Sequence, residues 1–201
     1  MKKIEIEYKE LYGNIPKDNT ERLKHILDNM NLSNNSGQIT KGIQRILNTK
    51  WKSLDFIIYL LPKATPRPRH NRFMNTFYVM GAKDNKDIFK KFMLKHDFDM
   101  ISTPCKFTCR SYFPIPKSMN NVEKILAELG LIRPISKPDW DNIGKTYSDM
   151  IQGFLLFDDS LIIEGVSEKY YSSKPRIEIH IEYMEEHDSK FNYNKMRKKV
   201  E

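Results

Sequence analysis

Cysteine is scarce in this chain. Only Cys105 and Cys109 occur among 201 residues, and no second thiol or histidine pair stands near them to complete a zinc site. The five histidines (His25, His70, His96, His180 and His187) are scattered without metal spacing. A disulfide framework and a thiolate- or imidazole-held metal are therefore excluded, and two thiols with ten methionines suit a reducing cytoplasm. Long apolar runs are missing as well. No stretch approaches the roughly 18 residues of a membrane span. The opening MKKIEIEYKE alternates where a secretory leader would carry an apolar run. Internal repeats are also absent. The expectation is a cytoplasmic protein without membrane contact. What the chain does hold is 39% hydrophobic residues, with 11 Phe and 10 Tyr interspersed among 30% charged ones. That supports a packed core and rules out wholesale disorder.

Charge is unbalanced. Lys and Arg number 34 against 26 Asp and Glu, a net +8, and the excess is concentrated. Between Lys63 and His96 stand Lys63, Arg67, Arg69, Arg72 and five further lysines against only Asp84 and Asp87. Such a segment favours a polyanion, because neutralising phosphates releases their condensed counterions. The alternative is a solvated, lysine-rich surface helix.

Alternation and helical spacing divide the chain. Ile4, Ile6 and Tyr8 read as a short strand. Leu23, Ile26, Leu27 and Met30, then Ile39, Ile43, Ile46 and Leu47, read as a helical hairpin around the turn cluster at 31–37. Residues 1–50 form an N-terminal strand and helical extension on this reading, 51–184 the main domain and 185–201 a polar tail. Within the main domain, LDFIIYLL at 54–61 is a buried strand stopped by Pro62. A basic amphipathic helix follows at 85–98, with Ile88, Phe89, Phe92, Met93 and His96 on its apolar side. Next come a strand at 107–113, a helix made by the apolar series Val122, Ile125, Leu126 and Leu129 that stops at Gly130, and a helix from Asp139 towards Gln152. Two long alternating strands, 161–171 and 176–183, close the domain with antiparallel pairing. The class is α+β, a mixed β-sheet packed with helices.

The stretch Lys137–Asp159 carries the chemistry. Pro138 places Asp139 near a helix N-cap, where the helix dipole stabilises a carboxylate. Asp141, Lys145 and Asp149 share one face of that helix, and Asp158 and Asp159 precede the next strand. Carboxylates converging from a helix start and a strand end are what a hard divalent cation requires, and Lys145 could hold a scissile phosphate or stabilise its oxyanion. The structural alternatives are an ion-pair ladder along the helix, a cap at Asp139 and a turn at Asp158–Asp159. Trp140 is expected to pack in support of the site, with base stacking the alternative. Gly144, inside the helix, would permit close approach of DNA or a second subunit.

K-P-D-x-D-N-x-x-K-x-x-x-D, followed by a D-D pair before an apolar strand, resembles the RusA family of Holliday-junction resolvases. The upstream P-K-x-x-P-R-P-R at 62–69 and the closing S-K-P-R-I-E-I-H-I at 173–181 resemble it too. The likeness covers about residues 52–184. It implies a homodimeric, Mg²⁺- or Mn²⁺-dependent endonuclease of phage or prophage origin that makes paired nicks in four-way DNA. By that likeness, Asp139, Asp141 and Asp159 or Asp158 bind metal and Lys145 is catalytic. Asp159 is preferred, since alternation lets only one of the two neighbours face the site. Lys63, Arg67, Arg69, Arg72 and Lys137 would then contact DNA phosphates. Two further readings compete: a non-catalytic, structure-selective DNA binder, and a nuclease for other branched DNA.

Overall fold

The computed structural model describes residues 48–65, 83–96 and 98–185, the backbone of two short strands between them, and the isolated helical residues Ile26, Lys41, Gly42, Arg45 and Ile46. The strand expected at Ile4–Tyr8 and the tail beyond 185 lie outside the described residues, as does nearly all of the helical hairpin. The chain divides into two compact units, Met1–Lys50 and Trp51–Glu201.

Every element with defined bounds lies in the second unit. In chain order these are β1 (Trp51–Ile58), β2 (Arg69–Asn71), β3 (Thr76–Tyr78), α1 (Lys83–His96), β4 (Cys105–Pro114), α2 (Asn121–Glu128), α3 (Trp140–Ile151), a 3₁₀ turn (Asp159–Leu161), β5 (Ile162–Ser172) and β6 (Arg176–Met184). β2 and β3 pair with each other in a separate ribbon. The four long strands form one mixed sheet in the order β1-β6-β4-β5, with β4 and β5 parallel and the other pairs antiparallel. The fold is α+β, as the pattern implies.

Alternation decides which face is buried. On β4, Cys105, Phe107, Cys109 and Ser111 turn inward while their neighbours stay half-buried. Ile177, Ile179 and Ile181 of β6 and Phe56 and Ile58 of β1 complete the inner face. Helices cover it with Phe89 and Met93 from α1 and Ile143, Tyr147, Met150 and Ile151 from α3. Each such side chain contributes about 1.5–3 kcal/mol on leaving water. Both thiols are core residues, and burial pushes Cys105 up to about 11 and Cys109 to about 12, far from thiolate chemistry.

Three expectations need correction. The closing strands do not pair with each other. β6 passes the end of β4 and lies between β4 and β1, so its isoleucine row has a neighbour on each side. α2 does not bury its predicted face either: Val122, Ile125 and Leu129 are more than 60% exposed and only Ala127 is buried. The helix closes where expected, at Gly130, whose φ of +74° suits glycine. On α1, Ile88 is exposed rather than core.

The outer sheet face carries satisfied polar groups in place of helices. The Arg176 guanidinium lies 3.6 Å from the Tyr112 ring centroid, Tyr112 stacks on Tyr170 at 5.1 Å, and Arg133 lies 3.7 Å from Tyr170. Glu168 accepts from Arg110 at 2.8 Å, and Glu178 accepts from Arg176 at 2.7 Å. His180 meets Asp55 at 2.7 Å on this face and Glu164 pairs with Lys106 at 3.3 Å, so both belong to this ladder. No described helix is long and apolar enough to cross a membrane.

Candidate active site

Helix α3 organises the site. Its inner face buries Ile143, Thr146, Tyr147, Met150 and Ile151, and its polar groups seize the segment leaving β1. Tyr147 Oη accepts from Lys63 N at 3.1 Å, Thr146 Oγ1 accepts from Thr65 N at 2.8 Å, and Asn142 Nδ2 donates to Thr65 O at 3.1 Å. Burial pushes the Tyr147 phenol up to about 12, so it stays a neutral hydrogen-bonding group. These bonds bring the start of the basic, proline-rich segment against the helix that carries the acids. Packing of α1 on α3, with the Phe89 and Tyr147 rings 5.3 Å apart, brings a second basic element there and leaves Lys86, Lys90, Lys91 and Lys95 exposed.

Asp139 is the N-cap residue of α3, with extended backbone (φ −67°, ψ 148°), and its side chain makes no cap hydrogen bond. Its carbonyl alone serves the helix, accepting from Ile143 N at 3.1 Å. Asp139 and Asp141 are exposed and share an open cleft of about 540 Å³ with Ile135, Ser136, Trp140 and Lys169. Trp140 does not pack in the interior. It is 63% exposed and lines the cleft. Gly144 does make a close approach, but to β5: a Cβ there would stand 3.2 Å from Ser167 Cβ.

Of the other aspartates, Asp149 lies further along α3, and Asp158 and Asp159 stand at the 3₁₀ turn beyond it. Asp158 is spent on structure. Its Oδ1 accepts from Ser160 N at 2.9 Å and its Oδ2 from Gln152 Nε2 at 3.2 Å, and the Ser160 bonds hold the carboxyl below the ordinary aspartate range. Asp159 is exposed at the start of the 3₁₀ turn. It lies within electrostatic reach of Asp149. Partial loss of solvent pushes the Asp149 carboxyl above its ordinary value, Lys145 pulls it back, Asp159 adds to the push and Lys86 opposes it. At about 1.5 Å of rise per residue, Asp149 lies roughly 12 Å along the axis from Asp141. Asp139 and Asp141 are thus brought together, while Asp159 joins Asp149 near the other end of the helix. Among the described residues no three acid, histidine or cysteine side chains stand close enough to hold a metal ion.

Of the basic residues singled out by sequence, Lys63 is anchored through its backbone and Lys137 is exposed next to the cleft. Arg69 begins β2, its side chain not described, and Arg67 and Arg72 lie outside the described residues. Sequence reasoning singled out Asp149 in the i, i+4 series from Asp141 and passed over one residue. Lys169 was legible only as a lysine on the inward parity of β5.

The profile of a protein family described as endodeoxyribonuclease RusA matches residues 60–182, from just beyond β1 into β6. A Bacillus subtilis (strain 168) protein, the uncharacterized YqaN, is 33% identical over an aligned length of 135 residues, a match that covers 64% of this chain and 94% of that protein.

Proposed function

Because the chain belongs to the RusA family of endodeoxyribonucleases, we propose that it is a homodimeric, Mg²⁺- or Mn²⁺-dependent nuclease that resolves four-way DNA junctions by paired, symmetric nicks. The observation that carries this reading is the start of α3. There an N-cap carboxylate that does not cap its helix opens, with Asp141, on a cleft that Lys169 also lines.

The donors fit the ion. They are carboxylate oxygens without histidine or thiolate, and Mg²⁺ takes one or two carboxylates and fills its octahedron with water and substrate phosphate oxygens. When bound, such an ion lowers the pKa of an attacking water and neutralises charge on the phosphoryl group. Asp139 and Asp141 would hold it. Lys145, exposed one turn after Asp141 on the same face, would steady the scissile phosphate as negative charge builds on its oxygens. Among the described residues Asp159 does not join these two in a group that could hold the ion. On this reading the third carboxylate is Asp159 of the partner subunit, and a two-fold dimer then presents one complete site to each of two strands. Lys63, Lys137, Arg67, Arg69, Arg72 and the lysines of α1 would contact phosphates, which positions the enzyme without reading sequence.

The test uses a fixed four-way junction and a matched linear duplex, each with Mg²⁺, Mn²⁺ or EDTA, and wild type beside Asp141→Asn. Paired nicks in the junction alone, lost with EDTA and in the variant, are the expected result. Tight junction binding without cleavage in either metal would leave a structure-selective binder. Equal cutting of flaps and forks would widen the substrate to branched DNA in general.

A further inference from the structure

Strand β5 turns an unusual set of residues towards the helices. Register with β4 places Gly165 beside Phe107, Ser167 beside Cys109 and Lys169 beside Ser111, all on the inward parity. Two of the three are small, and α3 uses the space, as the approach of Gly144 to Ser167 shows. The third is a cation, half-buried at the edge of the cleft, and the buried part of such a group is costly unless its donors are satisfied. Lys169 Nζ donates to Ser136 O at 2.7 Å and to Pro138 O at 3.1 Å. Its own carbonyl accepts from Arg133 Nε at 2.6 Å, and the same guanidinium rests on Tyr170. The loop from α2 to α3 is therefore fastened to β5 at three points, the last of them one residue before Asp139. An ammonium has three donors. Two are committed to the loop, and Lys169 lines the same cleft as Asp139 and Asp141.

We propose that Lys169 is the positioning residue of the cleft, its ammonium holding the Ser136–Pro138 backbone so that Asp139 and Asp141 meet a divalent cation at a fixed spacing. The inference rests on the metal reading of these two aspartates and is independent of Lys145. A loop without this tie would still connect α2 to α3, because Arg133 and the buried face of α3 remain. It would present its carboxylates over a range of positions, and affinity for the ion would fall.

The full chain is titrated with Mn²⁺ in the absence of DNA, free ion being read by electron spin resonance. Wild type is compared with Lys169→Met, Lys169→Arg and Asp139→Asn. Asp139→Asn should weaken binding more than tenfold and Lys169→Met about tenfold, as loss of groups that orient metal ligands does. Lys169→Arg should return it to within about threefold, since a guanidinium can span the same two carbonyls. The Mn²⁺ concentration for half-maximal junction cleavage should follow the same order. Wild-type affinity in Lys169→Met beside weakened Asp139→Asn would overturn the positioning role. Wild-type affinity in Asp139→Asn would instead bring down the metal reading, and this inference with it. If Lys169→Met does not melt cooperatively, Lys169→Gln, which keeps a donor, replaces it. Loss of fold in both would overturn the proposal by making the ammonium a determinant of folding.

Discussion

Helices α2 and α3 begin alike and use their first residues in opposite ways. Asn120 and Asp139 are both N-cap residues with extended backbone. The Asn120 side chain accepts from Glu123 N at 3.0 Å while Glu123 accepts from Asn120 N at 2.8 Å, a complete capping box. The Asp139 side chain makes no such bond. The reason lies in what each helix buries. α2 buries only Ala127 and is fastened at its ends, at the far one by Glu128, which accepts from Ser172 Oγ at 2.8 Å and Ser173 N at 2.6 Å. α3 is held along its length by Ile143, Tyr147, Met150 and Ile151, so its terminus can be left to chemistry. The contrast recurs at the next turn, where Asp158 caps and Asp159 does not.

If that division is real, substitutions at the two helix starts should separate activity from stability. Asp139→Asn and Asp141→Asn should each lower junction cleavage on the order of 10³-fold and leave the melting temperature unchanged, as paired kinetic and calorimetric measurements would show. Asp159→Asn should lose cleavage by roughly 10²-fold or more, while Asp158→Asn, whose carboxylate bonds Ser160 and Gln152, retains it within a few-fold. Mixing Asp139→Asn with Asp159→Asn copies should restore part of the activity, because a mixed dimer contains one intact site. A mixture as dead as its parents would show that the third carboxylate does not cross between subunits. Asn120→Ala should do the reverse of Asp139→Asn. It should cost about 1 kcal/mol of stability and leave cleavage per folded molecule unchanged.

The smallest effect is expected at Glu128. Burial pulls its carboxyl upward, but the donors from Ser172 and Ser173 prevail and hold it below its ordinary value of 4.5. The folded state therefore takes up this proton less readily than the unfolded chain. The resulting stability is present above pH 4.5 and is lost as pH falls through the lowered folded value. Glu128→Gln should melt roughly a degree or two lower than wild type at pH 7, and the two curves should converge towards pH 3. A gap that stays constant down to pH 3 would mean that the charge of Glu128 plays no part.

Much of the core was legible because period-2 alternation is a local property. The inward rows Phe107–Cys109 and Ile177–Ile179–Ile181 can be read from the chain without knowing what covers them. The apolar spacing of α2 looked just as persuasive and misled, since periodicity identifies an apolar face but not whether another element lies against it. The pairing of β5 and β6 failed for a related reason: proximity in sequence favours a hairpin, and only the full sheet reveals β4 as the better neighbour for both.

The aspartates divide along the same line. Local order alone determined that Asp139 would sit at a helix start, that Asp141, Lys145 and Asp149 would share a face and that an acidic pair would precede a strand, because each depends on spacing within a dozen residues. Which acids meet was decided in three dimensions. Asp159 falls within electrostatic reach of Asp149 and in no metal-holding group with Asp139 and Asp141, Asp158 is consumed by its own turn, and a lysine 30 residues beyond Asp139 reaches back beneath the loop because β5 runs under the start of α3. Contacts between elements depend on packing, and no spacing along the chain encodes them.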